Sequence, residues 1–540
     1  MYDHVELMLL VISLLFFASI FSDKLSSKFG IPALLLFLAV GMLFGEDGIG
    51  GIEFNNTNGA EMLGSIALCV ILFAGGMGTK FVDIRPVMWP GISLATVGVL
   101  LTWVFSGLAL WGVFQLYGSF SVVTLPFALL MAATMSSTDA SSVFSILSNK
   151  GIRLKHNLRP LLELESGSND PMAYIITITM ISVLTKDQSG WMIGVHVLVS
   201  VTWSVAFGLV VGFGFAKLMT WMMQRMTLSN SSLYPIMILT ACIFIYSVAY
   251  FLGGNSYLAV YIGGLVIGNS KFPYKRNTMG FIDGLSWLFQ LLMFLVLGLL
   301  VTPHNLGKVV IPALIVSAVM ILVARPLAVY LTLWPFKKFN RIDKAYVSWV
   351  GLKGAVPIIL AIKCASDGVE NSDILFNIAF VCTLVSLLAQ GTTLSSLGKK
   401  LKLALPREDR QAPLHFDISL PEEIQEKAIE VYVTEEMAPV GTHLMDLGLS
   451  KDSLVIMLRR GDDYLFPNGQ TLIEEGDYLL LMSDQEHAVV RTYDEEKIWE
   501  LELIRNTGEF FTNLFNVDEK TKQAYIEKFK ERHRKRKEKE

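Results

Sequence analysis

Apolar residues in this chain are gathered into long blocks, where a soluble domain would alternate them with polar positions every two or three residues. Blocks of about 17–25 predominantly apolar residues suffice to cross a bilayer core. Such blocks begin near residues 5, 30, 61, 90, 122, 160, 191, 232, 256, 284, 308, 343 and 373. The pattern predicts an all-α polytopic membrane unit of about thirteen spans over residues 1–400. The second, third and ninth blocks are short or glycine-rich. The first follows only Asp3, His4 and Glu6, without a basic leader or a cleavage site, and reads as a retained span.

The pattern changes after about Gln390. Lys399, Lys400 and Lys402 mark a membrane exit, and residues 401–415 read as a linker. From 416 to 497, short alternating runs are separated by turn residues: Ile429 to Val433, Ser453 to Leu458 and Tyr478 to Met482, with Gly461-Asp462-Asp463 and Pro467-Asn468-Gly469 between them. This predicts a small cytoplasmic α/β domain with hairpins. Residues 498–540 are a charged, helix-prone or disordered tail ending in a mixed run of Arg, Lys and Glu.

Composition agrees with the pattern. The chain is 53% hydrophobic and 17% charged, with a mean hydropathy of +0.51, against roughly 25% charged residues in soluble domains. Its net charge of -4 matters less than its distribution. Every other connection is basic: Lys24 and Lys28; Lys80 and Arg85; Lys150 to Arg159; Arg225; Lys271 to Arg276; Lys337 to Lys344. The connections between them are acidic or nearly neutral. Basic loops stay cytoplasmic, so the amino terminus is expected outside and the carboxyl-terminal region inside. Cys69, Cys242, Cys364 and Cys382 sit in or beside apolar blocks without paired spacing, as small packing residues do.

Against this background a few polar residues stand out. Asp170 lies in the apolar block from about 160 to 184, within Glu165-Ser166-Gly167-Ser168-Asn169-Asp170-Pro171. A carboxylate at the centre of a span costs roughly 2.5–3.5 kcal/mol, so chains retain one where it faces a polar cavity. Asp139 lies in the preceding block, after Ser136-Ser137-Thr138. Alkali cations take hard oxygen ligands, and protons take the same carboxylates. Burial favours the neutral form of an acid and a bound cation favours the ionised one, so each ion displaces the other. Asn169 adds an amide oxygen; Ser166 and Thr138 add hydroxyls. Asp139 also suits a helix cap before Ala140, and a cap inside an apolar block implies an interrupted helix. Interrupted helices at mid-membrane are where secondary transporters hold ions.

A second interruption is expected at Gly351-Leu352-Lys353-Gly354-Ala355-Val356-Pro357, where Lys353 places a cation in the membrane. If blocks one to six and eight to thirteen are inverted repeats around the seventh, the Asp139 and Lys353 breaks occupy equivalent places. Arg325, in Ala324-Arg325-Pro326, needs an acidic partner. Glu163 and Glu165 are both candidates; Glu163 shares a helical face with Asp170 but is also four residues after Arg159.

These motifs resemble those of the NhaP-type sodium or potassium/proton antiporters: Thr138-Asp139, Glu165-Ser166 through Asn169-Asp170, Ala324-Arg325-Pro326, Gly351-Leu352-Lys353-Gly354, Tyr257 to Leu265 and Phe294 to Pro303. The resemblance spans about residues 5–400 in the family's order. It implies thirteen spans with crossed discontinuous helices, a homodimer in the bacterial inner membrane, and electroneutral exchange. Asp170 would bind cation and proton in turn, with Asn169, Thr138, Asp139 and Ser166 completing the site and Glu165 paired with Arg325. Two departures are Lys353, where relatives usually carry Arg, and Ala74 before Gly75-Gly76, where many carry an acid. The 416–497 module resembles the C-terminal, ligand-binding half of the regulatory domains on potassium channels and transporters, which implies either a nucleotide or metabolite regulator or a ligand-free, dimer-stabilising lid. This company tilts the cation toward potassium. No cofactor and no nucleic-acid partner is expected. A potassium channel lacks support because no carbonyl filter sequence is present, and the cytoplasmic part holds no nucleophile–base or metal-ligand cluster that would make it an enzyme.

Overall fold

The computed structural model describes residues 10, 13–21, 32–52, 54, 56–117, 123–149, 152–185, 191–226, 228–307, 309–406, 428–433, 443–447, 453–461 and 463–483. It divides into two compact units, residues 1–406 and 407–540. The tail from 498 on, and the linker beyond 406, lie outside the described residues.

The first unit is helical. Among the described residues, seven helices are long and apolar enough to cross a membrane: Thr57–Gly78, Phe81–Leu116, Val199–Arg225, Leu233–Phe251, Lys275–Leu300, Val310–Thr332 and Ser372–Lys400. Four more apolar helices are short: Ala33–Phe44, Leu125–Thr134, Ser256–Gly268 and Val356–Ser366. The expected blocks of 17–25 residues are thus not all single helices. The block near 122 splits into Leu125–Thr134 and Ala140–Asn149, and the block near 343 into Arg341–Trp349 and Val356–Ser366. Leu158–Thr185 has ample length but carries the acids Glu163, Glu165 and Asp170 along it.

Two groups of helices each pack chiefly on themselves. One comprises Ala33–Phe44, Thr57–Gly78, Trp191–Arg225, Leu233–Phe251, Ser256–Gly268 and Lys275–Leu300. The other comprises Val99–Tyr117, Leu125–Thr134, Leu158–Thr185, Val310–Val319, Arg341–Trp349, Val356–Ser366 and Ser372–Ser386. In the first group small residues set the distance. A Cβ on Gly76 would strike the Tyr261 carbonyl, and one on Gly264 the Phe73 carbonyl, so Thr57–Gly78 and Ser256–Gly268 pack backbone to backbone. Cys69 and Cys242, from facing helices of this group, place their free thiols 3.5 Å apart, a proximity that their sequence spacing did not reveal.

The second group contains three π turns, Leu94–Gly98, Met320–Ala324 and Leu387–Gly391. Such turns add a residue and rotate the side chains of the next helical turn onto a new face. Met320–Ala324 leads directly into Arg325, and Leu387–Gly391 carries Gln390.

The unit also holds a strand pair. β1 (Ile152–Leu154) lies antiparallel to β2 (Ala404–Pro406), so three residues of the expected linker are structured.

In the second unit, β3 (Ala428–Tyr432), β4 (Ser453–Arg460), β5 (Asp463–Leu465) and β6 (Tyr478–Ser483) form one antiparallel sheet in the order β3-β6-β4-β5. β3, β4 and β6 fall where the alternating runs place them, whereas β5 begins at Asp463, which the sequence pattern assigns to a turn; the β4–β5 connection keeps Gly461 at a positive φ. The one helical element among the described residues there is the turn Leu444–Leu447. Arg460 forks onto Asp477 at 2.9 and 2.8 Å and holds the last loop against the sheet.

Candidate functional site

Breaking two helices inside an apolar unit exposes backbone groups that must find partners. Here the two breaks supply one another. The Asp139 N–H donates to the Leu352 carbonyl at 2.8 Å, and Lys353 Nζ donates to the Ser137 carbonyl at 2.9 Å. The glycines flanking Lys353 allow this approach: a Cβ on Gly354 would press on the Asp139 carboxylate, and one on Gly351 on the Arg325 guanidinium. The Lys353 N–H itself donates to Ser386, which hydrogen-bonds Gln390, whose amide returns to the Trp349 carbonyl.

Asp139 caps Ala140–Asn149. Its Oδ1 accepts from the Ser142 N–H at 3.2 Å and the Ser141 hydroxyl at 2.5 Å, and its Oδ2 from the Ser142 hydroxyl. The cap and the broken span are therefore one feature.

Leu158–Thr185 then lays its polar face against the Asp139 break. Ser166 Oγ donates to the Thr138 carbonyl at 2.6 Å and accepts from the Ala140 N–H at 2.9 Å. Asn169 Nδ2 donates to Thr138 Oγ1 at 2.5 Å. Asp170 completes the face, with Asp139 and Lys353 as the charged groups acting on it. Its Oδ1 is buried and has no hydrogen-bond partner. Because Pro171 lacks an N–H, the Gly167 carbonyl loses its helical donor one turn before.

The buried guanidinium of Arg325 donates through Nη2 to the buried carboxylate of Glu165. Glu163 instead pairs with Arg159 at 2.9 Å on the half-exposed end of the helix. The ambiguity left by helical spacing is resolved for Glu165.

The structure thus gathers buried Thr138, Ser166, Asn169, Asp170 and Lys353 and half-buried Asp139 into one cluster, with the Glu165–Arg325 pair beside it. Sequence reasoning missed Ser137, Ser141, Ser142, Ser386 and Gln390. Ser142 was discoverable, since a capping Asp takes the N–H three residues on; Ser386 and Gln390 are a polar i,i+4 pair in an apolar block. Among the described residues no group of three or more His, Cys, Asp or Glu forms a metal cluster.

Comparison with known proteins places this architecture. The profile of the sodium/hydrogen exchanger, transmembrane family matches residues 11–400, and that of the TrkA-C domain matches residues 428–489. A K(+)/H(+) antiporter NhaP of Alkalimonas amylolytica is 43% identical over 419 residues, covering 76% of this chain and 70% of the relative. A K(+)/H(+) antiporter NhaP2 of Shewanella sp. (strain ANA-3) is 37% identical over 486 residues, covering 89% and 82%. In fold, the sodium proton antiporter MjNhaP1 of Methanocaldococcus jannaschii superposes with a TM-score of 0.61 at 23% identity, over 73% of this chain and 99% of that one. The chain belongs to the sodium/hydrogen exchanger transmembrane family.

Proposed function

We propose that this protein is a secondary active antiporter that exchanges potassium for protons across a bacterial inner membrane, with Asp170 as the carboxylate both ions share. The observation that carries the proposal is the buried, unpartnered Oδ1 of Asp170, beside a Ser166 hydroxyl and an Asn169 amide that are hydrogen-bonded to Thr138. Thr138, Ser166 and Asn169 hold the frame and retain lone pairs toward a cation; Asp139 adds a second carboxylate, and Lys353 offsets its charge.

The stoichiometry rests on charge. Asp170 carries one negative charge, neutralised by either one proton or one monovalent cation. The loaded site is neutral in both forms, so one-for-one exchange moves no net charge. Binding from alternate sides needs the two helix groups to shift against each other, and the concentration of contacts within each group supports this.

Thirteen spans in inverted repeats, an external amino terminus and a homodimer complete the reading, supported by the apolar blocks, the alternation of basic loops and the family. Potassium is favoured over sodium by the names of the relatives covering most of the chain. The 416–497 module would take a small-molecule regulator.

Purified protein in liposomes with an imposed pH gradient should dissipate it when potassium is added, and Asp170→Asn should abolish the response. Full exchange by that variant would overturn the shared-carboxylate mechanism. A lithium, sodium, potassium and rubidium series in the same assay tests the cation; a sodium response with none to potassium would reassign it.

A further inference from the structure

The connection between the Asp139-capped helix Ala140–Asn149 and the Asp170 helix Leu158–Thr185 is short, and three sets of contacts converge on it. First, β1 lies against β2, with Ile152 opposite Pro406, Arg153 opposite Leu405 and Leu154 opposite Ala404. The Lys155 N–H extends the ladder to the Leu403 carbonyl at 3.0 Å. Second, Ile152 and Leu403 are buried with Val143, Leu147, Leu158 and Leu161, which belong to the two helices themselves. Third, His156 Nδ1 lies 2.9 Å from Asp343 Oδ1. Asp343 is buried and closes the capping box of Arg341–Trp349, the helix that runs into the Lys353 break.

Two consecutive non-glycine residues here, His156 and Asn157, adopt left-handed φ of 57° and 56°. Such conformations persist where the surroundings over-determine them. A lone two-stranded pair is marginal in water, so this one depends on its apolar and polar anchors. Residues 152–157 are thus held to both helices that build the site and to the cap of a third.

The other strand of the pair has a specific place in the chain. β2 ends at Pro406, and the second unit begins at Arg407. Any load that the second unit puts on its tether falls first on β2. The ladder passes it to β1, which is continuous with the Asp139 helix on one side and the Asp170 helix on the other. We infer that the junction of residues 152–157 with 403–406 and Asp343 is the transmission element through which the carboxyl-terminal unit sets the exchange site. A shift of β2 moves the two polar faces that meet at Thr138, Ser166 and Asn169, and through His156 it acts on the Lys353 break. The transport readout rests on the antiport reading; the mechanical coupling does not.

The test is a double-mutant cycle in the full-length chain. Asp477→Ala disturbs the second unit, because it strips the Arg460 fork and the Glu474 N–H of their acceptor. Replacing Ala404, Leu405 and Pro406 together (Ala404→Gly, Leu405→Ser, Pro406→Gly) cuts the strap. In liposomes, Asp477→Ala should shift the potassium KM by about threefold or more with the strap intact, and by less than about 1.5-fold with it cut. Should the cut chain fail to fold, Leu154→Cys with Ala404→Cys gives the opposite control: oxidised across the strand pair, it should retain the whole shift.

Amide hydrogen exchange of residues 140–149 reads the same coupling without transport, and Asp477→Ala should alter it in the uncut chain alone. Equal shifts with and without the strap, loss of the shift on oxidation, or no response of either readout to Asp477→Ala would each overturn the inference. A wild-type protein that exchanges nothing would sink the antiport reading, while hydrogen exchange would still decide the junction.

Discussion

Glu165 and Arg325 offer the sharpest test of how the site is held. Glu165 is 1% exposed and Arg325 5%, and the guanidinium donates directly to the carboxylate. Removing one partner of such a pair leaves the other charge buried and uncompensated, at about 3–5 kcal/mol. Glu165→Leu or Arg325→Met alone should therefore lower the folded-to-unfolded ratio by more than about a hundredfold. Removing both charges together, as Glu165→Leu with Arg325→Met, should cost about 1 kcal/mol or less, because well-packed apolar pairs replace buried ion pairs with little loss. The cycle should thus show a coupling of about 5 kcal/mol or more between the two positions. Denaturation in mixed micelles, followed by tryptophan fluorescence, measures each variant. The double variant should also keep a measurable exchange that depends on Asp170, since the pair frames the site and does not bind the ion. Single-variant costs that are small and simply add would refute the argument. They would mean that water or lipid headgroups reach the pair.

Other expectations rest on particular contacts. Gly167→Leu should collapse transport and lower expression, since even a Cβ there would strike the Tyr261 ring; wild-type yield and rate would contradict the close packing. Lys363 joins Glu61 of one helix group to Asp367, at 3.1 and 2.7 Å, beside Gly64, which itself lies against Ile359. All three charges are partly exposed, so Lys363→Gln should cost no more than about 1 kcal/mol per pair in denaturation. In the extramembrane loop after Ala33–Phe44, the main-chain N–H of His304, then its ring, holds the Asp47 carboxyl below its usual range. That contact is present above the ordinary Asp pKa and is lost as pH falls through the lowered value. Hydrogen exchange at His304 should stay slow at pH values near 4 and quicken below, and Asp47→Asn should remove the pH dependence.

Much of this site is legible in the sequence alone, because charge inside an apolar block has few innocent explanations. Asp170, Asp139, Arg325 and Lys353 are visible for that reason, and the Asp139 and Lys353 breaks are visible from Gly, Pro and Ser-Ser-Thr signals. Spacing does not decide which residues meet across the unit. Glu163 and Glu165 differ by half a turn, and the pairings that separate them, Arg325 with Glu165 and Arg159 with Glu163, are tertiary and local contacts that spacing does not rank. The short helices at Ala33–Phe44 and Ser256–Gly268 are announced by their flanks, Pro32 and Gly45-Glu46-Asp47 for the first and Gly253-Gly254-Asn255 and Asn269-Ser270-Lys271 for the second. β2 is hidden because three residues of weak strand character acquire their structure from a partner some 250 positions earlier. The glycines at 351 and 354 look like helix breakers in sequence, whereas their missing side chains are what lets Asp139 and Arg325 approach.

In the proposed mechanism, that close approach is also what leaves the cluster free to take an ion. Two interrupted helices present loose N–H and C=O groups, and a site built from them would ordinarily compete with itself for any cation that entered. In this structure the loose groups satisfy each other across the crossing: Asp139 N–H with Leu352, Lys353 with Ser137, Ser166 with Thr138 and Ala140. The Arg325 guanidinium beside the cluster is held by Glu165. Asp170 Oδ1 remains as the unpartnered buried acceptor of the cluster. A buried carboxylate oxygen without a donor is costly, and that cost is relieved by either a proton or a cation. The binding drive of each ion is therefore the same unmet demand, so raising the affinity for one must raise the competition from the other. Asp170→Glu supplies a direct check: it preserves the charge but moves the oxygens by about one methylene, which should weaken cation binding more than proton binding, because ligand distance matters to a coordinated metal and far less to a covalent proton. The expected result is a potassium KM raised more than the proton-dependence midpoint is shifted. A variant in which both move equally would mean that the frame of Thr138, Ser166 and Asn169 does not contribute to the cation site.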